Sequence, residues 1–84
     1  MNWYVYIARA KTGFYYTGIT TVVSKRITAH NRGKGSQMGK QQGPFELMYQ
    51  SEPFENKSAA SRLEAQIKRW SRRKKEMLIS REWI

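Results

Sequence analysis

Hydrophobic residues near the N-terminus occur in short aromatic and β-branched runs rather than at helical spacing. Residues 3–8 and 14–20 are rich in Trp, Tyr, Val, Ile and Thr, a composition typical of β-strands. Residues 45–50 alternate roughly between apolar and polar side chains and predict a third strand, which Pro53 limits. The pattern therefore predicts a sheet of three strands.

The segment 11–13 between the first two runs predicts a three-residue hairpin loop, a type I turn closed by Gly13 in the left-handed region. This loop length pairs Tyr6 with Gly18. Tyr6 and Tyr16 then become diagonal neighbours on one face, roughly 7–8 Å apart at Cα, whereas a two-residue loop would send them to opposite faces. The other face is predicted to hold the apolar set Trp3, Val5, Ile7, Tyr15 and Ile19.

Apolar residues elsewhere recur at the spacing of helices. Residues 21–31 predict a helix capped by Thr20 or Thr21. Its inward stripe comprises Val23, Ile27 and His30. The Gly- and Lys-rich residues 32–44 that follow predict a polar, basic loop.

A second, long helix is predicted to begin at Ser58, with Ser61-x-x-Glu64 as a secondary capping box. Its buried stripe comprises Leu63, Ile67, Trp70 and Met77, with Ala60 and Leu78 at the edges. Its outer face carries Lys68, Arg69, Arg72, Arg73 and Lys75. The elements predict an α/β (α+β) fold in the order β-β-α-β-α, a three-stranded antiparallel sheet flanked by helices.

Composition narrows the class of protein. Eighty-four residues suit one domain, 1–84, and the absence of cysteine excludes disulfides and thiolate metal sites. No apolar run approaches the ~20 residues of a membrane span, and the N-terminus opens directly into a strand-like pattern, so we expect a cytoplasmic protein with no membrane partner. Sixteen Lys and Arg against six Asp and Glu give a net charge of +10, which indicates a polyanionic partner such as nucleic acid.

Several side chains suit phosphodiester chemistry, and each also has a structural interpretation. The tyrosine pair is either cross-strand packing or a phenol that activates water. Arg26 is either a solvated helix charge or a forked donor to two phosphate oxygens. His30, on the same side of that helix, either completes the apolar stripe or moves a proton. Glu64 is either ion-paired with Lys68 or a metal ligand.

In this order and spacing the residues resemble a GIY-YIG nuclease domain. The first signature motif appears as Tyr4-Val5-Tyr6 and the second as Tyr16-Thr17-Gly18. The expected arginine falls at Arg26, followed by His30-Asn31, and the expected glutamate falls at Glu64. The resemblance covers nearly the whole chain. It extends to the small stand-alone members of the superfamily, which are similar to the N-terminal domain of the excision-repair nuclease.

The resemblance implies a catalytic set of Tyr6, Tyr16, Arg26 and His30, with Glu64 holding Mg²⁺ or Mn²⁺. It implies Tyr16 as the general base and Tyr6 as its partner, an order that the residues alone leave open. The chain departs from the family pattern at Tyr4, where the first motif has glycine. It departs again at Ile19, where many members have lysine, and in the loop 36–42, where Lys40 is the one charge. These departures bear on phosphate contacts and on the level of activity.

Contacts to DNA phosphates are expected from one glycine and a set of basic residues. Gly18 lacks a Cβ and is expected to leave room for a phosphate or a water. The basic set comprises Lys25, Arg32, Lys34, Lys40, Lys68 and Arg72.

The functional hypothesis is a metal-dependent endonuclease that hydrolyses DNA by in-line attack of water. We expect it to be structure-selective, for branched or nicked DNA, or non-specific, and to serve DNA repair or recombination. The alternative is a catalytically inactive basic module that binds nucleic acid, and a third hypothesis is an adaptor whose basic helix docks an acidic protein. A domain this small covers little duplex, so a homodimer or a larger protein partner is also expected.

Overall fold

A computed structural model of the chain describes residues 2–31 and 44–80. Within these ranges the elements are β1 (Tyr4–Arg9), β2 (Tyr15–Thr20), α1 (Val23–Asn31), β3 (Glu46–Gln50), α2 (Lys57–Arg69) and α3 (Arg72–Ser80). The strands form one antiparallel sheet in the order β2-β1-β3. The predicted α+β fold with a three-stranded antiparallel sheet is confirmed, although the C-terminal helical region consists of α2 and α3 instead of one long helix.

The β1–β2 hairpin has the predicted loop and register. The backbone N–H of Ala10 donates to the carbonyl of Phe14 at 2.7 Å, and the N–H of Gly13 donates to the carbonyl of Ala10 at 2.9 Å. Gly13 has a φ of +93°, in the left-handed region that favours glycine. Tyr6 consequently pairs with Gly18 across the two strands.

The two faces of the sheet carry separate apolar clusters. The α1-side cluster contains Tyr6, Ala8, Ala10, Val23 and Phe45, with Tyr4, Tyr16 and Ile27 packed against it. The cluster under α2 and α3 contains Val5, Ile7, Ala60 and Ile67, with Trp3, Tyr15, Ile19, Tyr49, Phe54, Leu63, Trp70, Leu78 and Ile79 packed against it. The predicted division of β1 and β2 between the two faces is therefore confirmed.

α1 begins close to the predicted position. Thr20 supplies part of the predicted cap, because its Oγ1 accepts a hydrogen bond from the backbone N–H of Val22 at 3.3 Å. Val23 and Ile27 face the sheet, as the helical spacing predicts. None of the helices within residues 2–31 and 44–80 is long and apolar enough to cross a membrane.

The start of α2 differs from the prediction. Asn56 is the N-cap in place of Ser58, and its Oδ1 accepts a hydrogen bond from the backbone N–H of Ala59 at 2.9 Å. Ser61 and Glu64 both lie inside α2, so the predicted secondary capping box is wrong. An asparagine offers the same short acceptor as a serine, and here it comes two residues earlier in the chain.

The helical region breaks at Trp70, whose ψ of 151° is extended and ends α2. Ser71 starts α3, because its Oγ accepts a hydrogen bond from a backbone N–H of the first turn at 3.2 Å. The break rotates the second helix relative to the first. As a result Leu78 and Ile79 pack against the sheet cluster, and Met77, which a continuous helix would bury, does not belong to it.

Candidate active site

The two predicted tyrosines meet on the α1 side of the sheet. The ring centroids of Tyr6 and Tyr16 are 6.2 Å apart, and the ring planes are tilted by 34°. Tyr6 is completely buried, whereas Tyr16 is partly exposed. Burial raises the pKa of Tyr6, and the neighbouring Tyr16 raises it further. The two phenols share one site, but their surroundings favour different roles.

Arg26, in the first half of α1, brings a guanidinium to the same place. Its side chain hydrogen-bonds to the phenol oxygen of Tyr6, which is the largest cause of the raised pKa of Arg26, and it also hydrogen-bonds to Tyr16. Arg26 is an exposed residue, so N–H groups that do not face the phenols are accessible from solvent. Forked N–H donors in that position suit the oxygens of a phosphate.

Glu64 reaches the group from α2, which packs against β1 and β2. After burial and the influence of Tyr16, the charge of Glu64 is a further cause that raises the pKa of Tyr6, so the carboxylate lies within electrostatic range of the Tyr6 phenol. Glu64 Oε2 is also 3.5 Å from Lys68 Nζ, and 20% of the Glu64 side chain is exposed against 57% of Lys68. The ion pair that the spacing predicts is present, and the role of Glu64 as a metal ligand stays a prediction.

Gly18 serves the site in a way that differs from the prediction. A Cβ added at Gly18 would lie 2.6 Å from Tyr6 Oη and 2.8 Å from Tyr6 Cζ. The space above this backbone is therefore filled by the ring of Tyr6, and not left open for a phosphate or a water. The glycine is needed because the buried phenol crosses directly over the neighbouring strand.

The carboxylate of Glu64 suits a metal ion that takes its remaining ligands from water and from a substrate. Within residues 2–31 and 44–80 no group of three or more His, Cys, Asp or Glu side chains is placed to hold a metal ion. Mg²⁺ is commonly bound through one or two carboxylates, several waters and substrate phosphate oxygens. A single carboxylate from Glu64 beside a phosphate site fits that pattern. It does not fit the closed, all-protein coordination of a structural zinc.

The predicted phosphate-binding residues have different surroundings. Lys25 is exposed on α1 beside Arg26, and Lys68 is paired with Glu64. Arg32, Lys34 and Lys40 lie outside the described residues, and so does the side chain of His30. Contacts between these residues and DNA stay predictions.

Arg72 has an intramolecular role that its spacing did not indicate. Its Nη1 donates to the carbonyl of Gly13 at 2.8 Å, and its guanidinium lies 4.6 Å from the ring centroid of Tyr15. Its Nε is 3.4 Å from Glu76 Oε2, which also accepts a hydrogen bond from Tyr15 Oη at 3.2 Å. Arg72 thus docks the start of α3 onto the hairpin that carries Tyr16, and DNA binding by Arg72 remains a prediction.

Asn31 and Phe45 form a further part of the site that the sequence did not reveal. Asn31 Oδ1 accepts a hydrogen bond from the backbone N–H of Phe45, and Asn31 Nδ2 donates to the carbonyl of Phe45 at 3.2 Å. The buried Phe45 presents its ring edge-on to Tyr16, with 6.3 Å between centroids. Asn31 therefore fixes the residue that supports Tyr16. The family resemblance includes Asn31 after His30 but gives it no role, and an asparagine near a predicted helix end is common in many proteins.

The chain is similar to known proteins over most of its length. The family described as the GIY-YIG catalytic domain matches residues 2–77. The chain is 48% identical over 80 residues to the UPF0213 protein BH0048 of Halalkalibacterium halodurans, covering 95% of this chain and 84% of that protein. It is 46% identical over 77 residues to the UPF0213 protein SSP2268 of Staphylococcus saprophyticus, covering 92% of this chain and 93% of that protein. The solution NMR structure of the UPF0213 protein BH0048 has a TM-score of 0.60 to this structure, at 48% identity and with coverage of 95% of this chain and 84% of that chain.

Proposed function

Because the chain belongs to the GIY-YIG family of nuclease domains, we propose that it is a metal-dependent endonuclease that hydrolyses DNA phosphodiester bonds. The observation that supports this most strongly is the convergence of two phenols, one guanidinium and one carboxylate from two strands and two helices. These groups belong to Tyr6, Tyr16, Arg26 and Glu64. Together they offer a proton acceptor, a charge for the phosphate and a metal ligand in one place.

In this proposal Tyr16 is the general base and Tyr6 positions it. Tyr16 is partly exposed and can reach a water, whereas Tyr6 is completely buried with a raised pKa and keeps its proton at neutral pH. As a phenolate, Tyr16 Oη takes a proton from the attacking water while the water oxygen forms the bond to phosphorus and the bond from phosphorus to the departing oxygen breaks. The hydrogen bond from Arg26 stabilises the Tyr16 phenolate before it accepts the proton.

Arg26 and Glu64 act on the phosphate side of the same reaction. The exposed N–H groups of Arg26 bind non-bridging phosphate oxygens and stabilise the charge of the transition state. Glu64 would hold a divalent metal once its ion pair with Lys68 opens, and Lys68 would then be available to the DNA backbone. A divalent metal, when bound there, polarises the phosphate and assists the departing oxygen.

The substrate and setting belong to the same proposal. The basic charge and the family support DNA as the substrate, in structure-selective cleavage of branched or nicked DNA or in non-specific cleavage. The proposal gives the protein a role in DNA repair or recombination in the cytoplasm. His30, four residues after Arg26 on α1, is retained as a proton-transfer residue.

The test is cleavage of branched, nicked and intact duplex DNA with Mg²⁺ or Mn²⁺ by wild-type protein and two variants. We expect Tyr16→Phe and Glu64→Gln to lose at least about a hundredfold in cleavage rate. The controls are Tyr49→Phe on β3 and Glu55→Gln before α2, which change the same side-chain types away from the site. Wild-type protein that cleaves none of these substrates, or Glu64→Gln that cleaves at the wild-type rate, would exclude the proposed reaction.

A second candidate function is an inactive nucleic-acid-binding module. The Glu64–Lys68 ion pair favours it, because a carboxylate neutralised by lysine is less available to a metal. This candidate predicts strong, salt-sensitive DNA binding without cleavage. Glu64→Gln would then leave the binding constant unchanged.

A further inference from the structure

A cleft of about 790 Å³ lies at the tip of the β1–β2 hairpin, away from the four proposed catalytic groups. We call it the hairpin-tip cleft. It is lined by Arg9, Ala10, Lys11, Thr12, Gly13, Pro44, Phe45, Glu46 and Arg72. Three separate segments meet here, because Arg72 from α3 binds the hairpin loop at the carbonyl of Gly13.

The lining is basic, and its ion pairs are weak. Arg9 lies 3.4 Å from Glu46, and the side chains of these two residues are 46% and 68% exposed. Exposed pairs of this kind contribute roughly 0–1 kcal/mol, so Arg9 can exchange Glu46 for another anion. Lys11 is exposed, and within the described part of the chain it has no ion pair or hydrogen bond. Arg72 is in a similar pair, 3.4 Å from Glu76, with side chains that are 57% and 49% exposed. Three cations line the cleft with one acid, Glu46, and both ion pairs are exposed enough to give way to an anionic ligand.

The cleft and the tyrosine site share one residue, Phe45. Phe45 lines the cleft on one side and contacts the ring of Tyr16 on the other. Tyr16 is the third residue after Gly13, so the cleft begins roughly 10 Å along the strand from the proposed general base. A DNA strand bound at Tyr16 would pass the cleft as it leaves the site.

An exposed aromatic ring stands beside the cleft. Phe14 is hydrogen-bonded through its backbone to Ala10, a lining residue, and 46% of Phe14 is exposed. Phe14 belongs to neither apolar cluster, so its exposed ring is not explained by the packing of the fold. An aromatic face next to a basic groove is the arrangement by which proteins bind unpaired nucleotides.

We propose that the hairpin-tip cleft binds the unpaired strand that flanks the scissile phosphate, with Lys11, Arg9 and Arg72 on its phosphates and Phe14 stacked on a base. The cleft volume falls within the ~300–1,000 Å³ of small-ligand sites, the scale of about one or two nucleotides and not of a duplex. Binding of a single strand in the cleft needs only nucleic acid as the ligand, whereas its place beside the cleavage position rests on the proposed function. It assigns to the protein a preference for DNA that is single-stranded beside the cleavage position.

The experiment measures DNA binding by the full chain in EDTA, where hydrolysis is stopped, using the fluorescence anisotropy of a labelled single strand and of its blunt duplex. We expect the single strand to bind more tightly than the duplex. Lys11→Ala should weaken single-strand binding and reduce the slope of log K against log [salt] by about 0.7, the value for one lost phosphate contact. Lys57→Ala is the control, because Lys57 lies near Trp3 at the opposite end of β1 and its removal should leave that slope unchanged.

Phe14 is tested separately from charge. We expect Phe14→Ala to bind the single strand about tenfold more weakly, and Phe14→Tyr to retain the wild-type affinity because it keeps an aromatic face. Equal salt slopes for Lys11→Ala and Lys57→Ala, unchanged affinity of Phe14→Ala, or tighter binding of the duplex would overturn the inference. Protein that binds the single strand as described but cleaves no DNA would refute the nuclease proposal and leave the cleft assignment intact.

Discussion

Tyr6 and Gly18 face each other so closely that neither can be changed independently. Tyr6 is completely buried, and its ring fills the space where a side chain at position 18 would begin. A phenol held in this way cannot swing out toward a substrate. At the scale of single residues, the site therefore combines one fixed tyrosine with one accessible tyrosine.

Gly18→Ala should destabilise the protein by about 1–3 kcal/mol, because the new methyl group overlaps the buried Tyr6 ring. The displaced ring would also disturb the hydrogen bond from Arg26. Urea unfolding measures the loss of stability, and DNA cleavage measures the loss of activity. The double variant Gly18→Ala with Tyr6→Phe should recover part of the stability, since Tyr6 Oη is the atom nearest to the new Cβ. Additive effects of the two changes would contradict this explanation.

Thr17 is a buried polar residue in an apolar position. It is 4% exposed, it pairs with Ile7 across the strands, and within the described part of the chain its Oγ1 has no hydrogen-bond partner. Thr17→Val should therefore raise the free energy of unfolding by about 1 kcal/mol. Thr20→Val is the opposite case, because the hydroxyl of Thr20 bonds to the backbone of Val22, and it should lower that free energy. Chemical denaturation measures both free energies of unfolding. A less stable Thr17→Val and a more stable Thr20→Val would refute the conclusion that the Thr17 hydroxyl is unsatisfied.

At the scale of elements, the hairpin was predictable because its register depends on local chemistry. Three loop residues ending in Gly13 determine which strand residues face each other, and the alternation of the strands then assigns every side chain to a face. Tyr6 and Tyr16 could be placed together for this reason alone. The prediction that Arg26 and Glu64 join the two tyrosines depended on the family resemblance.

Other features of the elements could not be predicted because they depend on contacts far apart in the chain. Trp70 lies at the spacing of a continuous helix, so the pattern does not predict that the helix breaks there. After the break, Leu78 and Ile79 pack against the sheet. The role of Arg72 depends on Gly13, 59 residues earlier. Asn31 joins Phe45 across 14 residues, which no local pattern records.

Asn31→Ala should cost about 1–3 kcal/mol of stability, because it removes both hydrogen bonds between the Asn31 side chain and the backbone of Phe45. Thr28→Ala on the same helix is the control. Thr28 is exposed and its hydroxyl donates to the carbonyl of Ser24 on the same helix, so its loss should change stability by no more than about 0.5 kcal/mol. Urea unfolding measures the stability of the two variants. Equal losses of stability would show that the hydrogen bonds between Asn31 and Phe45 are unimportant.

At the scale of the whole molecule, the charge of +10 is unevenly distributed. Every charged residue from 68 to 75 is basic, and this run spans the junction of α2 and α3. The end of α2 gains from cations, whereas the start of α3 is destabilised by them, since the helix dipole is positive there. The surface at this junction is suited to binding an anion at some expense of stability.

Arg73→Glu should raise the free energy of unfolding by about 0.3–1 kcal/mol at low salt, because an acid replaces a base in the first turn of α3. Arg69→Glu, in the last turn of α2, should have the opposite effect. Both variants should bind DNA more weakly. Thermal unfolding at low and high salt checks the prediction. It fails if the two variants change the unfolding temperature in the same direction, or if added salt leaves the difference between their unfolding temperatures unchanged.

The carboxylate that completes the proposed site comes from a different helical layer, and from later in the chain, than the phenols and the guanidinium. A ribosome that has released the polypeptide only as far as β3 has produced Tyr6, Tyr16 and Arg26, but Glu64 is still to come. Domains generally fold as units during synthesis, from the N-terminus onward. Under the proposed function, the growing polypeptide therefore cannot cleave DNA during synthesis. Cleavage activity arises only when α2 has been made and has docked.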